Sequence, residues 1–138
     1  MSGAASGALP LSFDRVSYEV RGRRLVSDLT LDLEAGPRTV ILGPNGAGKS
    51  VTLRLAHGLL KPTRGRVLCA GRPADAAQRR RQAMVFQNAI LLRRSVVANV
   101  GYALGVRGVR RGERRDRSAR ALDQAGLAQL AARPARAR

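Results

Sequence analysis

Gly43-Pro44-Asn45-Gly46-Ala47-Gly48-Lys49-Ser50 constrains this chain more than any other stretch, because it fits the pattern G-x-x-x-x-G-K-[ST]. Glycines at these positions let successive backbone N–H groups turn inward and form a concave nest for phosphate oxygens. A helix starting directly behind the loop adds unpaired N–H groups and the positive end of its dipole. In such a loop the lysine, here Lys49, reaches the β- and γ-phosphates, and the hydroxyl of Ser50 coordinates Mg²⁺. The pattern carries weight only between a strand and a helix, and the flanking residues predict both. Arg38-Thr39-Val40-Ile41-Leu42 is a short, apolar, β-branched run that reads as a buried strand. Val51 to His57 is apolar at helical spacing, and Gly58 stands where a helix would stop. The alternative is an ordinary glycine-rich turn with an incidental Lys-Ser pair. It leaves the strand–loop–helix order unexplained, so nucleotide binding is the first expectation.

At 138 residues the chain has the size of one ordinary domain, long enough to bury a core. A hydrophobic fraction of 44% with only 3% aromatic residues implies a globular chain whose core is mostly Leu, Val and Ala. Net charge is +17, and Lys49 and Lys61 are the only lysines among the 26 basic residues. Such a balance fits attraction to nucleic acid or anionic lipid. The other reading is an arginine-rich solvated surface. It is preferred because the arginines are not set among aromatics and form no continuous helical stripe. Cys69 is alone, which excludes a disulfide framework or a paired-cysteine metal site and fits a reducing compartment. Its place in an expected strand suits a small buried apolar residue. Met1 to Pro10 lacks the apolar segment of a secretory signal, and no apolar run approaches the ~18–20 residues that span a bilayer. A soluble or peripheral chain is expected.

Residues 1–10 are expected to be a disordered leader. Leu11 to Val20 alternates loosely as a strand, Arg21 to Arg24 turns, and Leu29 to Leu33 alternates with one buried face. Glu34-Ala35-Gly36-Pro37 turns into the run before the loop. Beyond Gly58, further strands are expected at Arg66–Cys69 and Ala83–Phe86, with a short polar helix over Ala74–Gln82 between them. Ser95 is placed to cap a helix over Val96–Leu104. Glu113 to Ala125 reads as the longest helix, stopped by Gly126, and Leu127 to Ala132 as a further short helical turn. Two structured regions follow from this order: an incomplete nucleotide-binding core at 11–94 and the beginning of a helical subdomain at 95–138.

Taken together, these features resemble the ATP-binding subunits of ABC transporters over nearly the whole chain. The resemblance implies an α/β phosphate-loop NTPase core, its β-sheet carrying an N-terminal antiparallel portion, plus the start of a helical subdomain. It implies ATP held by Gly43, Pro44, Asn45, Gly46, Ala47, Gly48, Lys49, Ser50 and Val51, with Tyr18 stacking on adenine. Without the resemblance, Tyr18 reads first as a strand-edge aromatic packed on the sheet, and stacking is the second choice. Gln87, after Val85-Phe86, matches the glutamine that senses Mg²⁺ and the attacking water, so Ser50 and Gln87 are the implied metal contacts. The implied function couples ATP binding and hydrolysis to solute transport. Val85 to Leu104 is similar to bacterial importers, including those for oxyanions such as tungstate. Implied partners are transmembrane permease subunits and a second ATP-binding subunit, on the cytoplasmic face of the membrane; nucleic acid is not expected.

Two departures accompany the resemblance. Val51 stands where the family often has threonine, although Ser50 is intact. The LSGGQ signature, the Walker B aspartate with its catalytic glutamate, and the switch histidine are not in these 138 residues. His57 ends the phosphate-loop helix and does not replace that histidine. The chain therefore reads as the N-terminal part of such a subunit, truncated before the signature, with no useful hydrolysis of its own. Two other readings compete: a phosphate-loop ATPase of the DNA-repair type, and a basic nucleic-acid-binding fragment without catalysis. Gly105 to Gly112 breaks the long heptad run that the first would need.

Overall fold

The computed structural model describes residues 9–73, 75–88 and 90–135. They form two compact units, one ending at Met84 and the other beginning at Val85. In the first unit, alternation produces a hairpin of β1 (Leu11–Val20) and β2 (Arg23–Leu33), turned at Arg21-Gly22. β3 (Arg64–Cys69) and the short β4 (Arg72–Pro73) extend it, giving an antiparallel sheet in the order β2-β1-β3-β4. Because β1 has a neighbour on both sides, its inward residues Leu11, Phe13 and Val16 are buried together with Cys69 of β3. The inward positions pass from odd to even numbers between Phe13 and Val16. Arg15, at φ 47°, is the bulge that makes the switch.

Helix α1 (Lys49–His57) closes this core by lowering Leu55 onto it, and Gly58 at φ 77° ends the helix as anticipated. Burying a leucine such as Leu55 contributes about 1.5–3 kcal/mol, so one side chain supplies much of the helix's hold. A five-residue helix α2 (Ala76–Arg80) follows β4, capped by Asp75, whose carboxylate accepts from the Gln78 N–H at 2.7 Å. The leader expected over 1–10 falls outside the described residues as far as residue 8. Leu9 already packs against the core, and the Pro10 carbonyl accepts from the Ala70 N–H at 2.8 Å.

Two expected strands are corrected. Arg38–Leu42 and Ala83–Phe86 join no sheet among the described residues. An apolar run becomes a strand only when neighbours take up its N–H and C=O groups. Neither run has such neighbours here, and Val40, Leu42 and Val85 are 74%, 86% and 92% exposed. The run before the loop therefore carries exposed apolar side chains.

The second unit pairs α3 (Val96–Val106) with α4 (Arg111–Gln124), followed by a 3₁₀ turn at Ala128–Leu130. Ser95 caps α3 through its hydroxyl, which accepts from the Ala98 N–H at 3.3 Å. The Val96 and Val97 amides, which no helical carbonyl can serve, donate to Arg133 and Ala131 carbonyls at 2.9 and 3.0 Å. Asn99 braces the lead-in: its Oδ1 accepts from the Leu92 N–H, and its Nδ2 donates to the carbonyls of Leu92, Arg94 and Ser95. Ser118 and Leu122 are the buried side of α4, and Gly101 of α3 faces Ser118 without a side chain between them. The architecture is α/β with an antiparallel sheet, as the sequence implies.

Candidate nucleotide-binding site

The loop from Gly43 to Gly48 leads directly into α1, with Gly48 as the residue before the first helical turn. Gly48 has to be glycine for two separate reasons. Its φ is 83°, and a Cβ there would lie 2.4 Å from the Leu25 carbonyl oxygen and 3.5 Å from Val26 Cγ2. The loop thus rests against the backbone of β2. Gly46 also has a positive φ, 85°, but its missing side chain would meet open space.

Within the loop, Ala47 donates its N–H to the Pro44 carbonyl at 3.3 Å, and the first helical bond runs from the Thr52 N–H to the Gly48 carbonyl at 2.8 Å. Among the described residues, the amides of Gly46, Gly48, Lys49, Ser50 and Val51 donate to no backbone carbonyl. Five donors without a backbone acceptor therefore lie in and just before the first turn of a helix that carries no acidic residue there. That combination of unshared N–H groups and positive dipole end attracts anions. Lys49 adds a full charge: its Nζ donates to the Gly43 and Pro44 carbonyls, both at 2.7 Å, and so lies across the loop's mouth.

Ser50 is exposed on the first turn, next to Lys49, whereas Val51 turns inward and packs against the core. Val51 thus seats the helix and offers the loop its N–H, not its side chain. Asn45 and Gly46 form the exposed tip. Tyr18 is half-buried against the core and stands opposite Val26 in the β1–β2 ladder. Val26 follows Leu25, on whose carbonyl Gly48 leans, so Tyr18 stands opposite the β2 residue next to the loop's seat. Gln87 belongs to the second unit, where it is exposed and lies in coil. His57 is the last residue of α1, and its Nδ1 is buried with no partner among the described residues.

Sequence reasoning did not single out Ser17, Thr63 or Asp28. Ser17 Oγ accepts from the Asp28 N–H at 2.9 Å, and the Ser17 carbonyl accepts from both the Thr63 N–H and hydroxyl at 2.9 Å. No residue pattern announces a non-glycine bulge such as Asp28, at φ 46°. Cys69 is buried beneath the sheet, and burial pushes its thiol above the ordinary value of 9.0, with Gln82 Nε2 at 3.5 Å opposing the shift. It is an inert core residue.

A phosphate-binding loop between a sheet and a helix start, with a lysine over its mouth, defines an α/β nucleotide-binding protein of the phosphate-loop class. Residues 26–138 match the family model described as ABC transporter, and the chain belongs to that family. It is 42% identical to the methionine import ATP-binding protein MetN of Cereibacter sphaeroides, over 94% of this chain and 40% of the relative. It is 41% identical to the spermidine/putrescine import ATP-binding protein PotA of Frankia alni, over 84% of this chain and 26% of that protein. Among solved structures, cbiO1 from Clostridium perfringens, part of the ABC transporter complex cbiONQ, superposes with a TM-score of 0.76 at 28% identity. That match covers 90% of this chain and 53% of the other. The chain therefore spans less than half the length of the import proteins it resembles. Among the described residues no helix is long and apolar enough to cross a membrane.

Proposed function

We propose that this chain carries the ATP-binding portion of a bacterial importer's ATPase, and that the loop at Gly43–Ser50 takes the triphosphate. The observation that supports this most is the set of unshared amides at Gly46 and Gly48–Val51, with Lys49 Nζ fixed beside them. Exchanging its two carbonyl contacts for phosphate oxygens would place the Lys49 charge between the β- and γ-phosphates without moving the helix. Tyr18 stacks on adenine from the neighbouring strand position. The Ser50 hydroxyl is an exposed hard-oxygen donor on the same turn, which suits Mg²⁺ held jointly with phosphate oxygens. When bound, that ion neutralises charge on the transferred phosphoryl group. Ser50 and Gln87 would be the residues that hold the ion, and Gln87 would also help place the attacking water.

In this reading residues 11–94 form the nucleotide-binding core and 95–138 begin the helical subdomain. The partners are permease subunits and a second ATP-binding subunit, at the cytoplasmic face of the membrane. Import is favoured because the relatives over this stretch are import proteins for methionine, polyamines, ferric ions and taurine. That spread of solutes means this stretch does not select the cargo; the oxyanion reading rests on Val85–Leu104 alone. The test is a titration with a fluorescent ATP analogue. Saturable binding lost in Lys49→Ala supports the proposal, and a signal indifferent to Lys49 refutes it.

A further inference from the structure

We infer that Ser17 and Thr63 are positioning residues that set how strongly the site depends on the base of its nucleotide, by fixing which way Tyr18 faces. The inference rests on the reading of Tyr18 as the adenine-stacking residue. β1 and β2 do not pair evenly. Their register shifts between Phe13 and Val16, between Val16 and Tyr18, and again between Tyr18 and Glu19, so Tyr18 sits between two irregularities. The first shift is the Arg15 bulge on β1, at φ 47°. The second falls opposite Asp28 on β2, at φ 46°. Left-handed backbone is strained for a non-glycine residue, so each bulge persists only where its surroundings hold it.

The Arg15 N–H donates to Thr30 Oγ1 at 3.3 Å across the first bulge, and Ser17 holds the second. From one side its hydroxyl accepts the Asp28 N–H at 2.9 Å, tying the β2 bulge to β1. From the other side its carbonyl accepts the Thr63 N–H and the Thr63 hydroxyl, both at 2.9 Å, tying β1 to the lead-in of β3. Gly65 confirms how closely that lead-in approaches, because a Cβ on it would lie 2.2 Å from the Arg15 carbonyl oxygen. Strand side chains alternate between faces, so a one-residue slip at Ser17 would turn Tyr18 to the opposite face of the sheet. Only in the observed register does Tyr18 stand opposite Val26, the neighbour of Leu25, against whose carbonyl Gly48 of the loop rests. The base-stacking aromatic is therefore held by two neighbouring strands at the residue beside it, and not by contacts of its own ring alone.

The loop and Lys49 make no hydrogen bond to Ser17 or Thr63, so the phosphate end of the site gives the inference a distinctive readout. In the 138-residue chain, affinities for ATP and for inorganic tripolyphosphate are measured for wild type, Ser17→Ala, Thr63→Val, Ser17→Thr, Tyr18→Ala and Lys49→Ala. Base stacking contributes enough that Tyr18→Ala should lower the ATP-to-tripolyphosphate preference by about ten-fold or more. Ser17→Ala and Thr63→Val should each lower that preference about three- to ten-fold, in the range of one lost hydrogen bond. Tripolyphosphate affinity should be unchanged, and Ser17→Thr, which keeps the hydroxyl, should restore the preference. If Ser17→Ala and Thr63→Val weaken both ligands equally, or neither, while Tyr18→Ala still lowers the preference, the positioning role is refuted and the stacking reading stands. If Tyr18→Ala leaves the preference unchanged, the stacking reading fails and the inference with it. Lys49→Ala should weaken both ligands together, and failure to do so overturns the phosphate-loop assignment itself. Should Ser17→Ala not fold, Thr63→Val retains the backbone bond to Ser17 and reports the same ratio.

Discussion

Two alanine substitutions in the loop separate backbone conformation from close approach. Gly46 and Gly48 have nearly the same φ, 85° and 83°, so alanine at either one bears the same conformational penalty, about 1–2 kcal/mol. Their surroundings differ. Alanine at 46 meets nothing within 4 Å, whereas alanine at 48 puts its Cβ 2.4 Å from the Leu25 carbonyl oxygen. An ordinary contact is about 3.4 Å or longer, so the loop or β2 must move by roughly an ångström. Leu25 has no partner of its own on β1, but Arg24 and Val26 on either side of it are both paired there, which resists that movement. Displacing packed backbone typically adds about 1–3 kcal/mol, as overpacking does. Gly46→Ala should thus destabilise by about 1–2 kcal/mol and Gly48→Ala by about 2–5 kcal/mol, combining the two penalties. Urea titration followed by circular dichroism measures the difference, and the fluorescent nucleotide titration measures its consequence for the site. Gly48→Ala should lose affinity more than Gly46→Ala, because it also moves the amides at the head of α1. Equal losses of stability in the two variants would refute the argument that the loop is seated on β2.

The chain alone should show no Mg²⁺-dependent ATP turnover above a Lys49→Ala control, since each missing electrostatic donor costs about 10²–10³ in rate; steady-state phosphate release checks it. Asn99→Ala should destabilise the second unit by about 2–3 kcal/mol, because partly buried partners at Leu92 and Ser95 lose their bonds together. Hydrogen exchange at Leu92 should rise in that variant and not in Asn88→Ala. Cys69 has its folded thiol value raised by burial, so its contribution to stability is complete below the ordinary 9.0 and is lost as pH rises beyond it. Unfolding midpoints measured from pH 7 to 10 should fall at the alkaline end, and Cys69→Ala should remove that part of the decline. Replacing Val40 and Leu42 by threonine and asparagine should reduce aggregation and binding of a hydrophobic dye, because both side chains face solvent.

What the sequence made legible follows from how local each cause is. Gly58, Ser95 and Gly126 stop or start helices through their own backbone or hydroxyl, and each does so where the residue pattern places it. The sheet's alternation could be read on both sides of Arg15, from Leu11 and Phe13 to Val16 and Tyr18, although the bulge responsible could not. Arg38–Leu42 and Ala83–Phe86 show the opposite case. Their composition states what they would bury, but strand pairing is a property of two segments, and a single segment does not reveal whether the second is present.

The same distinction explains the uneven visibility of the site. The Gly43–Ser50 loop makes its concavity from its own amides, so its chemistry is written in eight consecutive residues. Tyr18 is placed only through a chain of pairings: Ser17 to Asp28 and Thr63, Tyr18 to Val26, and Gly48 against the neighbouring Leu25. None of those pairs is close in sequence except through the sheet, and two depend on bulges at Arg15 and Asp28 that ordinary side chains rarely adopt. The side chains around a strand residue placed this way can vary so long as the register holds. The phosphate loop has no such freedom, because its glycines answer to φ and, at Gly48, to a carbonyl 2.4 Å from where a side chain would begin.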